Sequence, residues 1–160
     1  ANMRLGSGIC RVPELIKNGV KVGIGVDGSA SNDSGHILGE LRQAMYLARV
    51  RYGAEAMSTL DAIELGTWRA ALMMGRDDIG ELAFGKCGDL ALFPIDDLYA
   101  NAAENPVDAL LICQPRQVSD LVVGGAVRVK GNSFTNLDLQ GLMCEHKQRA
   151  ERVRTLALEL

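Results

Sequence analysis

The stretch "VKVGIGVDGSASND", residues 20–33, constrains the chain most. Residues 20–26 are rich in β-branched and small apolar side chains, which predicts a buried strand. Just before it, "RVPELIKNG" places Pro13 at a first helical position and Leu15 and Ile16 in a short amphipathic turn. It stops at Asn18-Gly19. After the polar loop, "HILGELRQAMYLARVRYG" sets Ile37, Leu38, Leu41, Met45, Leu47 and Ala48 at helical spacing and ends at Gly53. A helix feeding a buried strand that feeds another helix is the grammar of an α/β fold.

The 160 residues allow one domain or two small ones. "STLDAIELGTWRAALMMG" predicts one further helix, with Ser58 as N-cap, Asp61 at its third position and Gly75 as its stop. Near residue 78 the helical period gives way to short β runs punctuated by Gly80, Gly85 and Gly88. Residues 90–93 read as a strand, and "NPVDALLIC" as a short helix. "SDLVVGGAVRVKGNSF" reads as a hairpin turning at Gly124-Gly125. From residue 137 a long helix carries Leu142, Met143, His146, Ala150, Val153 and Leu156 or Ala157 on one face. The expected division is 1–78, 79–136 and 137–160.

Two kinds of chemistry compete for the loop. Gly23-x-Gly25-x-x-Gly28 matches a dinucleotide-binding fingerprint. Against that, Asp27 puts a carboxylate where pyrophosphate must sit, and no helix begins behind Gly28. The alternative starts from Asp27 as the first polar residue at the carboxyl end of a strand, the rim from which catalytic groups project in (β/α)8 barrels. A carboxylate there can bind a cation and accept a proton from the water that the cation acidifies. Gly25 and Gly28 then permit close approach. Ser29, Ser31, Asn32 and Asp33 either support such a site or only cap the next helix.

At this point the sequence becomes recognisable. "SGICRVPELIKNGVKVGIGVDGSASNDSGHILGELRQAM" resembles the closing stretch of the barrel in amidohydrolase-superfamily aminohydrolases, in the branch of 8-oxoguanine deaminases and chlorohydrolase-like enzymes. "IGELAFGKCGDLALF" is similar to that family's return into a β-sandwich, and the likeness runs through "NPVDALLICQPRQVSDLVVGGAVRVKG" to the end. The resemblance implies the last strands and helices of a metal-dependent (β/α)8 barrel, part of an accessory β-sandwich and a C-terminal helix. It also implies one divalent metal, zinc or sometimes iron. That metal activates the water that expels ammonia, an amine or chloride from a purine-, pyrimidine- or triazine-type ring. Asp27 then binds the metal and shuttles the proton, and Asn2, Arg4, Ser29, Ser31 and Asn32 occupy matching rim loops.

The family's His-x-His, its later histidines and its acid/base Glu are not in this chain, so the chain is expected to be a fragment that is inactive alone. Its histidines are His36, a helix-start residue or a group at the site mouth, and His146, an ordinary helix residue. A partial barrel leaves sheet edge and helix faces open, which predicts a homo-oligomer. A non-catalytic oligomerising domain is the other reading.

The remaining residues narrow the choice. With 17 basic against 20 acidic residues, no basic footprint for nucleic acid stands out. No apolar stretch approaches the roughly 20 residues of a membrane span, and a cytoplasmic location is expected. Cys10, Cys87, Cys113 and Cys144 form no C-x-x-C pair and read as free thiols. Glu40, Arg42 and residues 149–154 read as solvated helix faces. Asp77, Asp78, Asp96 and Asp97 read as caps, and Met45, Tyr46, Trp68, Met73 and Met74 as core or interface packing.

Overall fold

A computed structural model describes residues 1–32, 34–113 and 116–158; Asp33 lies outside the described residues. The first part of the chain is helical: α1 Asn2–Leu5, α2 Val12–Lys17, α3 Ile37–Tyr52, a 3-10 turn Ala54–Ala56, α4 Thr59–Leu65 and α5 Trp68–Met73. Pro13 opens α2 as expected. Ser58 accepts from the Asp61 N–H while the Asp61 carboxylate accepts from the Ser58 N–H, a complete capping box at the start of α4.

Residues 20–28 correct the strand expectation. They carry no strand pairing, and no strand lies beside them among the described residues. A β-strand is defined by its ladder, and side-chain character alone cannot create one. The segment is held instead by the Ile24 N–H, which donates to the Leu65 carbonyl at 2.9 Å, and by Val22 and Ile24 packing on the core.

A second correction concerns the helix expected over 58–75. It breaks at Gly66-Thr67 into α4 and α5. A Cβ at Gly66 would come within 2.7 Å of Leu41 Cδ1, so the missing side chain is what lets α3 pack against this corner.

The core gathers Val12, Leu38, Leu41, Met45, Ala48, Met57, Ala62, Leu65 and Leu111. Leu38, Leu41, Met45 and Ala48 recur at three and four positions, so one stripe of α3 enters it. Tyr46, Trp68, Met73 and Met74, unlike Met45, are exposed.

The second part is an antiparallel four-stranded sheet in the order β1-β2-β3-β4, formed by β1 Leu90–Leu92, β2 Asp120–Val123, β3 Ala126–Lys130 and β4 Ser133–Phe134. Gly124 and Gly125 have φ of 58° and 77°, the paired positive values of a type I′ turn. Gly131 and Asn132, at 54° and 65°, repeat the device before β4. Between β1 and β2, Asn105 caps α6 Pro106–Asp108, which continues into a π turn Ala109–Cys113 whose Ala109 and Leu111 are buried. The chain ends in α7 Leu139–Leu158, none of whose residues is buried.

Arg116 ties the two parts together. Its side chain is 4% exposed and donates to both Asp97 carboxylate oxygens at 2.9 and 3.1 Å and to the Pro94 carbonyl at 2.6 Å. Its own carbonyl accepts from His36 Nε2 at 2.7 Å. Asp97 therefore does more than the capping expected of it, although it also accepts from the Tyr99 and Ala100 N–H groups.

Candidate functional site

The loop after residue 26 turns sharply because Asp27 adopts a left-handed φ of 65°. Aspartate tolerates that region better than most residues because its short side chain bonds locally. Here the bonds are explicit. Asp27 Oδ1 accepts from the Gly28 N–H at 2.7 Å and Oδ2 from the Ser31 hydroxyl at 2.8 Å. These two donors, the Gly28 N–H first, hold the carboxyl below its usual 3.8, so it is a carboxylate at neutral pH. The Gly28 carbonyl then accepts from the Ser31 and Asn32 N–H groups, both at 3.0 Å, and closes the turn.

In front of the carboxylate lies a cavity of about 250 Å³. Asn2 of α1, Cys10, residues 22–25 and a stripe of α3 line it. That stripe is Glu40, Gln43, Ala44 and Leu47, again at helical spacing, so α3 presents one face to the core and another to the cavity.

The other expected site residues divide. Arg4 Nη1 donates to the Asn32 carbonyl at 3.2 Å, which joins α1 to the loop. Asn32 is buried, with its side chain on Glu40 and on the Ser34 and Gly35 N–H groups. Ser29 is exposed on the turn. His36 stands apart from the cavity lining: Nδ1 accepts from the Gly39 N–H at 3.0 Å as the N-cap of α3, and Nε2 faces the Arg116 carbonyl. Of its two readings, the structure displays the helix-start one.

Glu40 corrects another expectation. It is no solvated face: its side chain is 21% exposed and lines the cavity. The available signal was its place in the first turn of the helix that follows the loop. Arg116 was also missed, since one arginine carries no periodicity that announces burial.

Chemically, the site offers an ionised, oriented carboxylate at an open mouth. Among the described residues no group of three or more His, Cys, Asp or Glu side chains could hold a metal ion. A zinc site needs three or four protein ligands, so the described residues do not fit that ion by themselves. Nor does the glycine motif form a phosphate cradle. A Cβ at Gly23 would lie 2.8 Å from Ala70 Cα, so this glycine admits α5, and the next helix after Gly28 starts only at Ile37.

Comparison with known proteins places the chain in a family. The chain is 47% identical over 150 residues to an 8-oxoguanine deaminase of Pseudomonas aeruginosa, covering 94% of this chain and 33% of the relative. A zinc-bound adenosine deaminase from Xanthomonas campestris superposes with a TM-score of 0.91 at 29% identity, over 96% of this chain and 36% of that one. A zinc complex of atrazine chlorohydrolase from Arthrobacter aurescens gives 0.84 at 30% identity, over 92% and 33%. The chain thus spans about a third of the length of these relatives. Its helices and sheet follow amidohydrolase structures, and the Amidohydrolase family profile matches residues 1–131. With the rim loop, the helical first part and the return into the sheet all inside that match, the chain belongs to the amidohydrolase family.

Proposed function

We propose that the protein carrying this chain is a metal-dependent aminohydrolase that deaminates a purine-, pyrimidine- or triazine-type ring in the manner of 8-oxoguanine deaminase. The overall change is ring–NH2 plus water to ring=O plus ammonia. The observation that carries the reading is the Asp27 carboxylate, ionised, held by Gly28 and Ser31 and lining the cavity. The 47% identity to a deaminase supports the substrate class.

In this reading residues 1–78 are the last βα units of the barrel, 79–136 part of the β-sandwich and 137–160 a terminal helix. Asp27 would supply one ligand oxygen to a divalent metal, zinc or else iron, whose chemistry when bound would be to acidify a water, and the same carboxylate would accept that water's proton. Asn2 lines the cavity that would receive the substrate, while Arg4, Ser31 and Asn32 support the loop and Ser29 stands on its exposed turn. The described residues present too few ligands for a metal, so this chain alone is expected to be inactive, and its exposed apolar side chains are expected to seat another copy.

The test is ammonia release from 8-oxoguanine, isocytosine and aminotriazines by the longer protein, loaded with zinc. Asp27→Ala is expected to lower kcat by about 10³-fold, the scale of a lost general base. Unchanged release in that variant overturns the assignment and leaves a non-catalytic, oligomerising domain.

A further inference from the structure

Among the described residues of the rim loop Asn32 is the buried one, 7% exposed, and its side chain works at both ends. Nδ2 donates to Glu40 Oε1 at 2.8 Å, while Oδ1 accepts from the Ser34 N–H at 2.9 Å and from the Gly35 N–H. Its main chain is engaged as well, the N–H on the Gly28 carbonyl and the carbonyl on Arg4. Glu40 sits in the first turn of α3, a helix locked into the core by Leu38, Leu41, Met45 and Ala48.

These contacts form a line of force. Both bonds to the Asp27 carboxylate come from Gly28 and Ser31. The turn that contains those donors is closed by the Asn32 N–H on the Gly28 carbonyl, and Asn32 is pinned to the rigid helix by the Glu40 carboxylate. A hydrogen bond to an ionised acceptor in a half-buried place is stronger and shorter-ranged in its geometry than a neutral one, so it sets position.

We propose that Glu40 and Asn32 form a positioning pair in which the Glu40 carboxylate anchors the rim loop through the Asn32 amide and so holds Asp27 at the cavity mouth. The inference rests on the reading of Asp27 given above. A role confined to α3, such as a favourable charge in its first turn, predicts effects on that helix and none on the loop.

The experiment exchanges donor and acceptor. Asn32→Asp keeps an oxygen for the Ser34 and Gly35 N–H groups but sets two carboxylates against each other. The double variant Asn32→Asp/Glu40→Gln restores a hydrogen bond with its direction reversed. In the full-length zinc-loaded protein, the single variant is expected to lower kcat by about 10- to 100-fold with KM changed less than about threefold, the range seen when supporting partners of a metal ligand are lost. Amide exchange over residues 27–35 should rise by about tenfold while residues 41–48 stay protected. The double variant should recover both kcat and protection.

No change in loop exchange for Asn32→Asp, or no recovery in the double variant, overturns the pair. So does a loss of protection that spreads equally through residues 41–48, which marks a general packing role. Asp27→Asn is measured in parallel. If that variant keeps full turnover, the Asp27 reading fails, and the exchange data still decide whether Glu40 anchors the loop.

Discussion

Single side chains here act mainly through the backbone groups they satisfy. Ser58 and Asp61 close the start of α4 reciprocally, and the Ser58 hydroxyl and N–H hold the Asp61 carboxyl below its usual 3.8. Because the folded value is depressed, the stabilisation is present in full above the unfolded value and is lost as pH falls through the folded one. Ser58→Ala is expected to cost about 1 kcal/mol in chemical denaturation and to move the Asp61 carboxyl upward in an NMR titration. Arg116 is the opposite kind of residue, a buried cation with Asp97 beside it. Arg116→Ala should lose about 3 kcal/mol, since the Pro94 and Ala109 carbonyls lose their donor and a void opens. Asp97→Asn, which leaves the cation without its counter-charge, should lower the melting temperature more than Asp96→Asn does.

At the scale of elements, close approach decides where helices meet. Gly80 has a φ of 92°, and a Cβ there would stand 2.7 Å from Trp68 Cα and 2.9 Å from its nitrogen. Both atoms are main chain and cannot swing aside. Gly66 differs, because the obstructing Leu41 methyl ends a flexible side chain. Gly80→Ala is therefore expected to destabilise by about 3 kcal/mol, combining backbone strain with a clash, and Gly66→Ala by clearly less. Thermal unfolding of the two variants side by side checks the order. Much of this level was legible in advance: Pro13, Ser58, Asn105 and the Gly124-Gly125 turn each act within a few residues. The break between α4 and α5 was read through because helical spacing continues across it, although Gly66 caps the end of α4 and Thr67 leaves helical geometry at φ −124° and ψ −112°.

Across the whole molecule, apolar surface remains open. Phe84, Leu82, Leu98 and Val50 are largely exposed, and α7 carries Leu142, Met143, Val153 and Leu156 outward. Light scattering across a dilution series is expected to give a mass above 17.2 kDa that falls on dilution; a constant monomer would overturn self-association.

What the sequence by itself determined are the caps, the turns and the α3 stripe, since each depends on neighbours a few positions away. Only the tertiary structure decided that residues 20–28 stay unpaired, that Glu40 turns from solvent to the cavity, and that Arg116 is buried against Asp97. Those outcomes depend on partners up to tens of residues distant, and neither period nor propensity says which distant groups will meet.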